Sequence, residues 1–158
     1  MVNYRCLPRL FCVEVLLAFF IFFTMLYLFG TGAFKSSRKA VKVGYTGDGS
    51  KETRETAYLL HNPLGEFLAW REGDRVMELK LHLRLADYKV EFLDEWFYYE
   101  PEVEKIFGSS VSEINDWLWD NRSTVFYPLP KPGTLKRKIF DELSKFKQGS
   151  SIVEGVSL

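Results

Sequence analysis

Residues 94–104 hold five carboxylates, Asp94, Glu95, Glu100, Glu102 and Glu104, around the aromatic run Trp96-Phe97-Tyr98-Tyr99. Paired carboxyls beside rings are what cleavage of a glycosidic bond requires, one kept protonated as the acid and one ionised as base or nucleophile. The same residues also describe an acidic, ring-rich docking surface, and no spacing among the five selects a catalytic pair. Trp and Tyr are enriched where proteins meet. The leading reading is therefore a partner-binding surface built on Trp96, Tyr98 and Tyr99. A hydrolase-type site over 94–104 is the alternative, and no catalytic residue is assigned. Trp119 joins the binding set because it falls off the apolar stripe of its own helix.

Other chemistries find less support. His61 and His82 are the only histidines, and they lack the four-residue spacing that puts two metal ligands on one helical turn. Both cysteines, Cys6 and Cys12, lie before or inside the leading apolar run, so the remainder has no disulfide, thiolate metal site or cysteine nucleophile. No metal and no cofactor are expected. Gly44, Gly47 and Gly49 match neither phosphate-loop pattern, and a G-x-S-x-G elbow is absent. Asp116-x-x-x-Asp120 is not a sugar-transferase D-x-D motif. The formal net charge is zero, which argues against nucleic acid as a partner. Cys6 is placed for S-acylation near a membrane boundary. Asn121-Arg122-Ser123 is an N-glycosylation sequon, usable only on a lumenal domain.

The feature that constrains the chain most is the apolar run LFCVEVLLAFFIFFTMLYLF over residues 10–29. About 20 such residues at ~1.5 Å each reach ~30 Å, the thickness of a bilayer's hydrocarbon core. A transmembrane helix over 10–33 is expected, making the chain a single-pass, integral membrane protein. Glu14 sits one turn inside the run, where a carboxylate is costly. It either reaches the interface or meets a partner helix, and it is a candidate contact with another membrane protein. Arg5 and Arg9 precede the run and Lys35, Arg38, Lys39 and Lys42 follow it, so side-chain charge leans toward a cytoplasmic C-terminal domain. Cleavage at Gly30-Thr31-Gly32-Ala33, releasing a secreted domain, is a competing possibility.

The elements that would position the candidate residues follow from periodicity. Residues 1–9 form a short tail. Residues 34–56 turn from basic to Gly- and Ser-rich and read as a linker or stalk. A globular α+β domain is expected over 57–147, with a flexible tail over 148–158. Within the domain, 67–70, 76–85 and 88–93 read as a small antiparallel sheet. The middle strand rests on strict alternation of Met77, Leu79, Leu81, Leu83 and Leu85 with polar residues. Ser110-x-x-Glu113 is a capping box for a helix carrying Val111, Ile114, Trp117 and Leu118 on one side. Thr134 caps a second helix, with Leu135, Ile139, Phe140, Leu143 and Phe146 on one arc. Residues 87–120 hold ten acids against Lys89 and Lys105, while 131–147 hold six bases against Asp141 and Glu142. The two blocks can pack together, or the acidic one can receive a basic partner. The expected function is a membrane-anchored accessory or assembly protein that acts through protein contacts.

Overall fold

The computed structural model describes residues 24–30, 39–47 and 51–153. The fold is mixed α+β, with a four-stranded antiparallel sheet in the order β3-β1-β2-β4. Its strands are β1 (Met25–Gly30), β2 (Ala40–Thr46), β3 (Glu66–Glu72) and β4 (Trp96–Tyr98). The helices are α1 (Lys51–His61), α2 (Arg75–Arg84), α3 (Pro101–Gly108), α4 (Val111–Asp120), the single turn α5 (Arg122–Val125) and α6 (Leu135–Val153).

The central strand is the surprise. β1 pairs β2 on one side, with Leu28 opposite Val43, and β3 on the other, with Leu28 opposite Ala69. Its side chains alternate between two covered faces. Leu26 and Leu28 enter the main core, while Tyr27 and Phe29 enter an aromatic layer, and all four are at most 2% exposed. A strand covered on both faces has no reason to alternate polar and apolar residues, so it reads as a continuous hydrophobic run. The helix expected over 10–33 therefore does not extend over Met25–Gly30, which is strand. Residues 1–23, and with them Cys6 and Glu14, lie outside the described residues. Among the described residues no helix is long and apolar enough to cross a membrane.

Two strands of the sheet, β1 and β2, accordingly precede residue 57, where the domain is expected to begin. Most of the expected linker is structured: β2 takes Ala40–Thr46 and α1 begins at Lys51. Gly44 is there for contact, not for flexibility. It faces Tyr27 across the β1–β2 ladder, and a Cβ at residue 44 would lie 2.2 Å from the Tyr27 hydroxyl oxygen.

The strand expected over 76–85 is helix α2. Two residues advance ~200° around a helix. Alternate leucines therefore split into two opposed arcs, Met77, Leu81 and Leu85 on one and Leu79 and Leu83 on the other. The first arc is buried and the second packs partly against the same core. Asp74 caps the helix by accepting a 2.8 Å bond from the Met77 amide. Leucine's helix preference wins because α2 has neighbours on several sides: β2, α3, α4 and α6 all contact it. The strand expected over 88–93 is also absent. Ala86–Tyr88 is a 3₁₀ turn, and a lone bridge joins Lys89 to Phe97.

β3 and the two capped helices form where the patterns put them. Ser110 and Glu113 make the full reciprocal capping box. The Thr134 hydroxyl accepts from the Arg137 amide at 3.2 Å. α6 runs on to Val153, through the first half of the expected tail. Ile114 and Leu118 of α4 and Ile139 and Leu143 of α6 share the core, and Lys147 pairs with Asp116 at 2.8 Å. The acidic and basic blocks thus meet within one chain at this point. Arg71 of β3 ties the sheet to the helices by donating to the carbonyls of Phe107 (2.6 Å) and Ser109 (2.7 Å).

Candidate functional site

β4 carries the aromatic run. Phe97 points into the core, while Trp96 and Tyr98, one residue to either side, take the opposite face and are half-buried. Trp96 is registered opposite Lys42 of β2. Tyr99 leaves the strand; its amide donates to the Lys39 carbonyl and its hydroxyl donates to Glu104 at 2.8 Å. That bond to a carboxylate holds the Tyr99 phenol above its usual range.

Four of the five carboxylates of 94–104 are committed to separate neighbours. Asp94 pairs with Lys89 at 2.9 Å, and the hydrogen bond from that ammonium holds its carboxyl below the usual range. Glu95 pairs with Lys42 at 2.6 Å, and Glu102 with Lys105 at 3.5 Å. Glu104 receives the Tyr99 hydroxyl, and Glu100 is the exposed residue before α3. A general acid needs a raised carboxyl. The raised one here is Glu78 on α2, through burial first and the Glu95 carboxylate second. The sequence cluster does not contain it, because the alternation over 76–85 puts Glu78 on the wet face of an expected strand, whereas it lies on helix α2.

A polar chain runs across the sheet on the Trp96 face. Lys42 lies between Glu95 and the ring of Tyr58, 5.5 Å from the ring centre, and the Tyr58 and Tyr27 hydroxyls share a 2.8 Å hydrogen bond. Burial disfavours the Lys42 charge, but the Glu95 carboxylate and the Tyr58 hydroxyl outweigh it and keep its pKa raised. A lysine so held is a fixed cation rather than a base or nucleophile. Tyr27, Phe29, Tyr58, Phe67 and Trp70 form the adjoining aromatic layer, with ring centres 4.8–5.8 Å apart and Phe67 stacked on Trp70. α1 has no fully buried residue and reaches this layer through Tyr58. The layer is hidden from sequence reasoning because Tyr27 and Phe29 also fit a membrane helix, and nothing local in the sequence joins them to Tyr58. The clue was Gly44, two residues after Lys42 in a stretch that alternates Val41, Val43 and Tyr45.

Two further candidates are placed. Trp119 is half-buried against the core, and the Arg122 guanidinium lies 4.3 Å from its ring centre. Its exposure is in the same intermediate range as that of Trp96 and Tyr98. Asn121 ends α4, and its side-chain nitrogen, the atom a glycan would use, donates to the Trp117 carbonyl at 2.8 Å. His82 reaches the Val43 carbonyl at 3.0 Å, where β2 outruns the three-residue β4, and burial lowers its pKa. Among the described residues no three His, Cys, Asp or Glu side chains group to hold a metal ion.

No family model, no curated protein and no solved structure matches this chain.

Proposed function

We propose that this chain is a membrane-attached accessory or assembly protein that acts through protein contacts and performs no catalysis. The observation that carries this reading is a join. Residues 10–23, apolar apart from Glu14 and led by Arg5 and Arg9, run through Thr24 alone into the sheet's central strand. As a helix, fourteen residues at ~1.5 Å each would span ~21 Å, short of a ~30 Å hydrocarbon core. Attachment therefore rests on a shorter apolar segment than a standard span. Glu14 near its start is a candidate contact for a neighbouring membrane helix. On the domain, Trp96 and Tyr98 offer half-exposed rings beside the Lys42–Glu95 ion pair. Aromatic rings next to a charged pair suit a protein interface.

The test has two arms on the full chain in its native membranes. Alkaline carbonate extraction should leave the protein in the pellet; recovery in the supernatant refutes attachment. After mild detergent, the protein should migrate in a native gel well above its 18.5 kDa mass. Trp96→Ala with Tyr98→Ala should return it to the size of a single chain. A wild-type protein that already migrates as one chain refutes the accessory role.

A further inference from the structure

The direct join between apolar segment and sheet also fixes which part of the domain can touch the bilayer. β1 starts at Met25, two residues after Phe23, and two extended residues reach at most ~7 Å. No stalk intervenes. The stretch that reads as one in the sequence lies within the fold, as β2 and the start of α1.

The ladder registers say what else lies at that end. Met25 is opposite Thr46 of β2 and opposite Glu72 of β3, and the Gly73 amide donates to the Thr24 carbonyl at 3.2 Å. Asp74, which caps α2, and Arg75 follow at once. Lys51, the first residue of α1, has its ammonium 5.4 Å from the ring centre of Trp70, two residues before Glu72 on β3. The other end of the sheet is marked by Gly30, opposite Glu66 of β3 and Val41 of β2.

We infer that the end of the sheet carrying Thr24, Glu72, Asp74 and Arg75 is a membrane-contact surface that rests against the lipid headgroups, with the strands running away from the bilayer. The inference rests on the attachment proposed above. Its chemistry suits that partner. The end is polar, and its exposed charges mix both signs: Lys51 and Arg75 beside Glu72 and Asp74. Such a surface matches a zwitterionic headgroup layer, which presents both phosphate and ammonium, and gains little from an anionic one. It also explains why Tyr27 and Phe29 are sealed beneath α1: a strand that leaves the membrane directly has both faces wet unless the domain covers them.

The two ends of β3 supply the test. Glu66 and Glu72 are both exposed and are separated by ~20 Å along the strand. In a Cys6→Ser, Cys12→Ser background, Glu72→Cys and Glu66→Cys are each labelled with an environment-sensitive fluorophore. Each protein is then reconstituted into phosphatidylcholine vesicles containing a headgroup-nitroxide lipid. Quenching at residue 72 should exceed that at residue 66 at least threefold. Equal quenching, or stronger quenching at 66, on protein that floats with the vesicles overturns the inference while leaving attachment intact. Protein that fails to float overturns attachment and the inference with it. Far-UV circular dichroism matching wild type confirms that neither label has disturbed the fold.

Discussion

Gly44→Ala separates a chain whose residues 25–30 are a core strand from one in which they continue a membrane helix. A Cβ at residue 44 would lie 2.2 Å from the Tyr27 hydroxyl oxygen, 2.3 Å from Cζ and 2.8 Å from Cε2. The ring has little room to retreat. Tyr58, Phe67 and Trp70 each sit with their ring centres 5.5 Å from its own, and its hydroxyl is bonded to that of Tyr58. Overpacking of this kind costs about 1–3 kcal/mol, and loss of the hydroxyl bond adds about 0.5–1.5 kcal/mol. Lower unfolded-state entropy returns about 0.4–1 kcal/mol. The net expectation is roughly 2–3 kcal/mol of lost stability, or a fall in Tm of about 6–15 °C for a domain of this size. Tyr27→Leu removes all three clashing atoms, so in that background Gly44→Ala should cost under about 0.5 kcal/mol, a coupling of about 2 kcal/mol. Denaturant unfolding of the four proteins in the same detergent, followed by tryptophan fluorescence, measures the cycle. A Gly44→Ala protein within about 0.5 kcal/mol of wild type, or an equal cost in both backgrounds, refutes the β1–β2 register. If Tyr27 lay in lipid and Gly44 in a linker, the two would not couple at all.

Phe92 is fully exposed and holds a left-handed φ of 65° at the tip before β4. Phe92→Gly should stabilise the fold by about 0.5–1 kcal/mol, since the left-handed conformation costs a bulky residue about 1–2 kcal/mol and glycine gives back part of that in entropy. A destabilised variant in the same unfolding assay would show that the ring packs. Ser110→Ala removes the side-chain half of the α4 capping box and should cost about 1 kcal/mol, with no loss meaning the box is not formed in solution. Glu78 has a folded pKa above its ordinary 4.5, so the native state holds its proton more tightly than the unfolded chain. Its stabilising contribution is present below that ordinary value and is lost as pH rises through the folded pKa. Glu78→Gln should therefore be slightly more stable than wild type at pH 7, by a few tenths of a kcal/mol given its partial solvent exposure. The difference should vanish on acidification, and identical pH profiles for the two proteins would contradict this.

Elements whose signals are local were legible. Ser110 with Glu113, and Thr134 after Pro132-Gly133, are chemical start marks that act within a single turn, so they mean the same thing in any tertiary setting. The short run inside β3 likewise needed only its own flanking turn residues. α2 was not legible, because alternation of Leu79, Leu81 and Leu83 with charged residues fits two geometries. A strand puts those leucines on one face; a helix lodged among β2, α3, α4 and α6 can bury them on two. Choosing between these requires knowing the neighbours. The candidate site was half legible. Trp96 and Tyr98 do share one face, but the Glu95–Lys42–Tyr58–Tyr27 chain joins four segments remote in sequence, and no periodicity reveals such a meeting.

The apolar run shows how little hydropathy alone decides. Hydropathy measures only that side chains avoid water. It does not say whether lipid or protein receives them. Residues 25–30 go to protein, and that choice bears on processing. The small residues Gly30-Thr31-Gly32-Ala33 resemble a signal-peptidase exit, yet cleavage there would detach the strand that pairs with both β2 and β3. Leu26, Tyr27, Leu28 and Phe29 are essentially fully buried. At about 1.5–3 kcal/mol each, their burial contributes roughly 6–12 kcal/mol, an upper bound that rivals the whole net stability of a typical domain. A product beginning at residue 33 or 34 would also leave two strands flanking an empty central position, with the ladder groups of Leu28 and its neighbours gone. The fold therefore requires that these residues stay with the domain. An intact-mass measurement on protein from its native cells should find the mature N-terminus upstream of Met25, and a stably folded species starting after Gly32 would contradict the placement of β1.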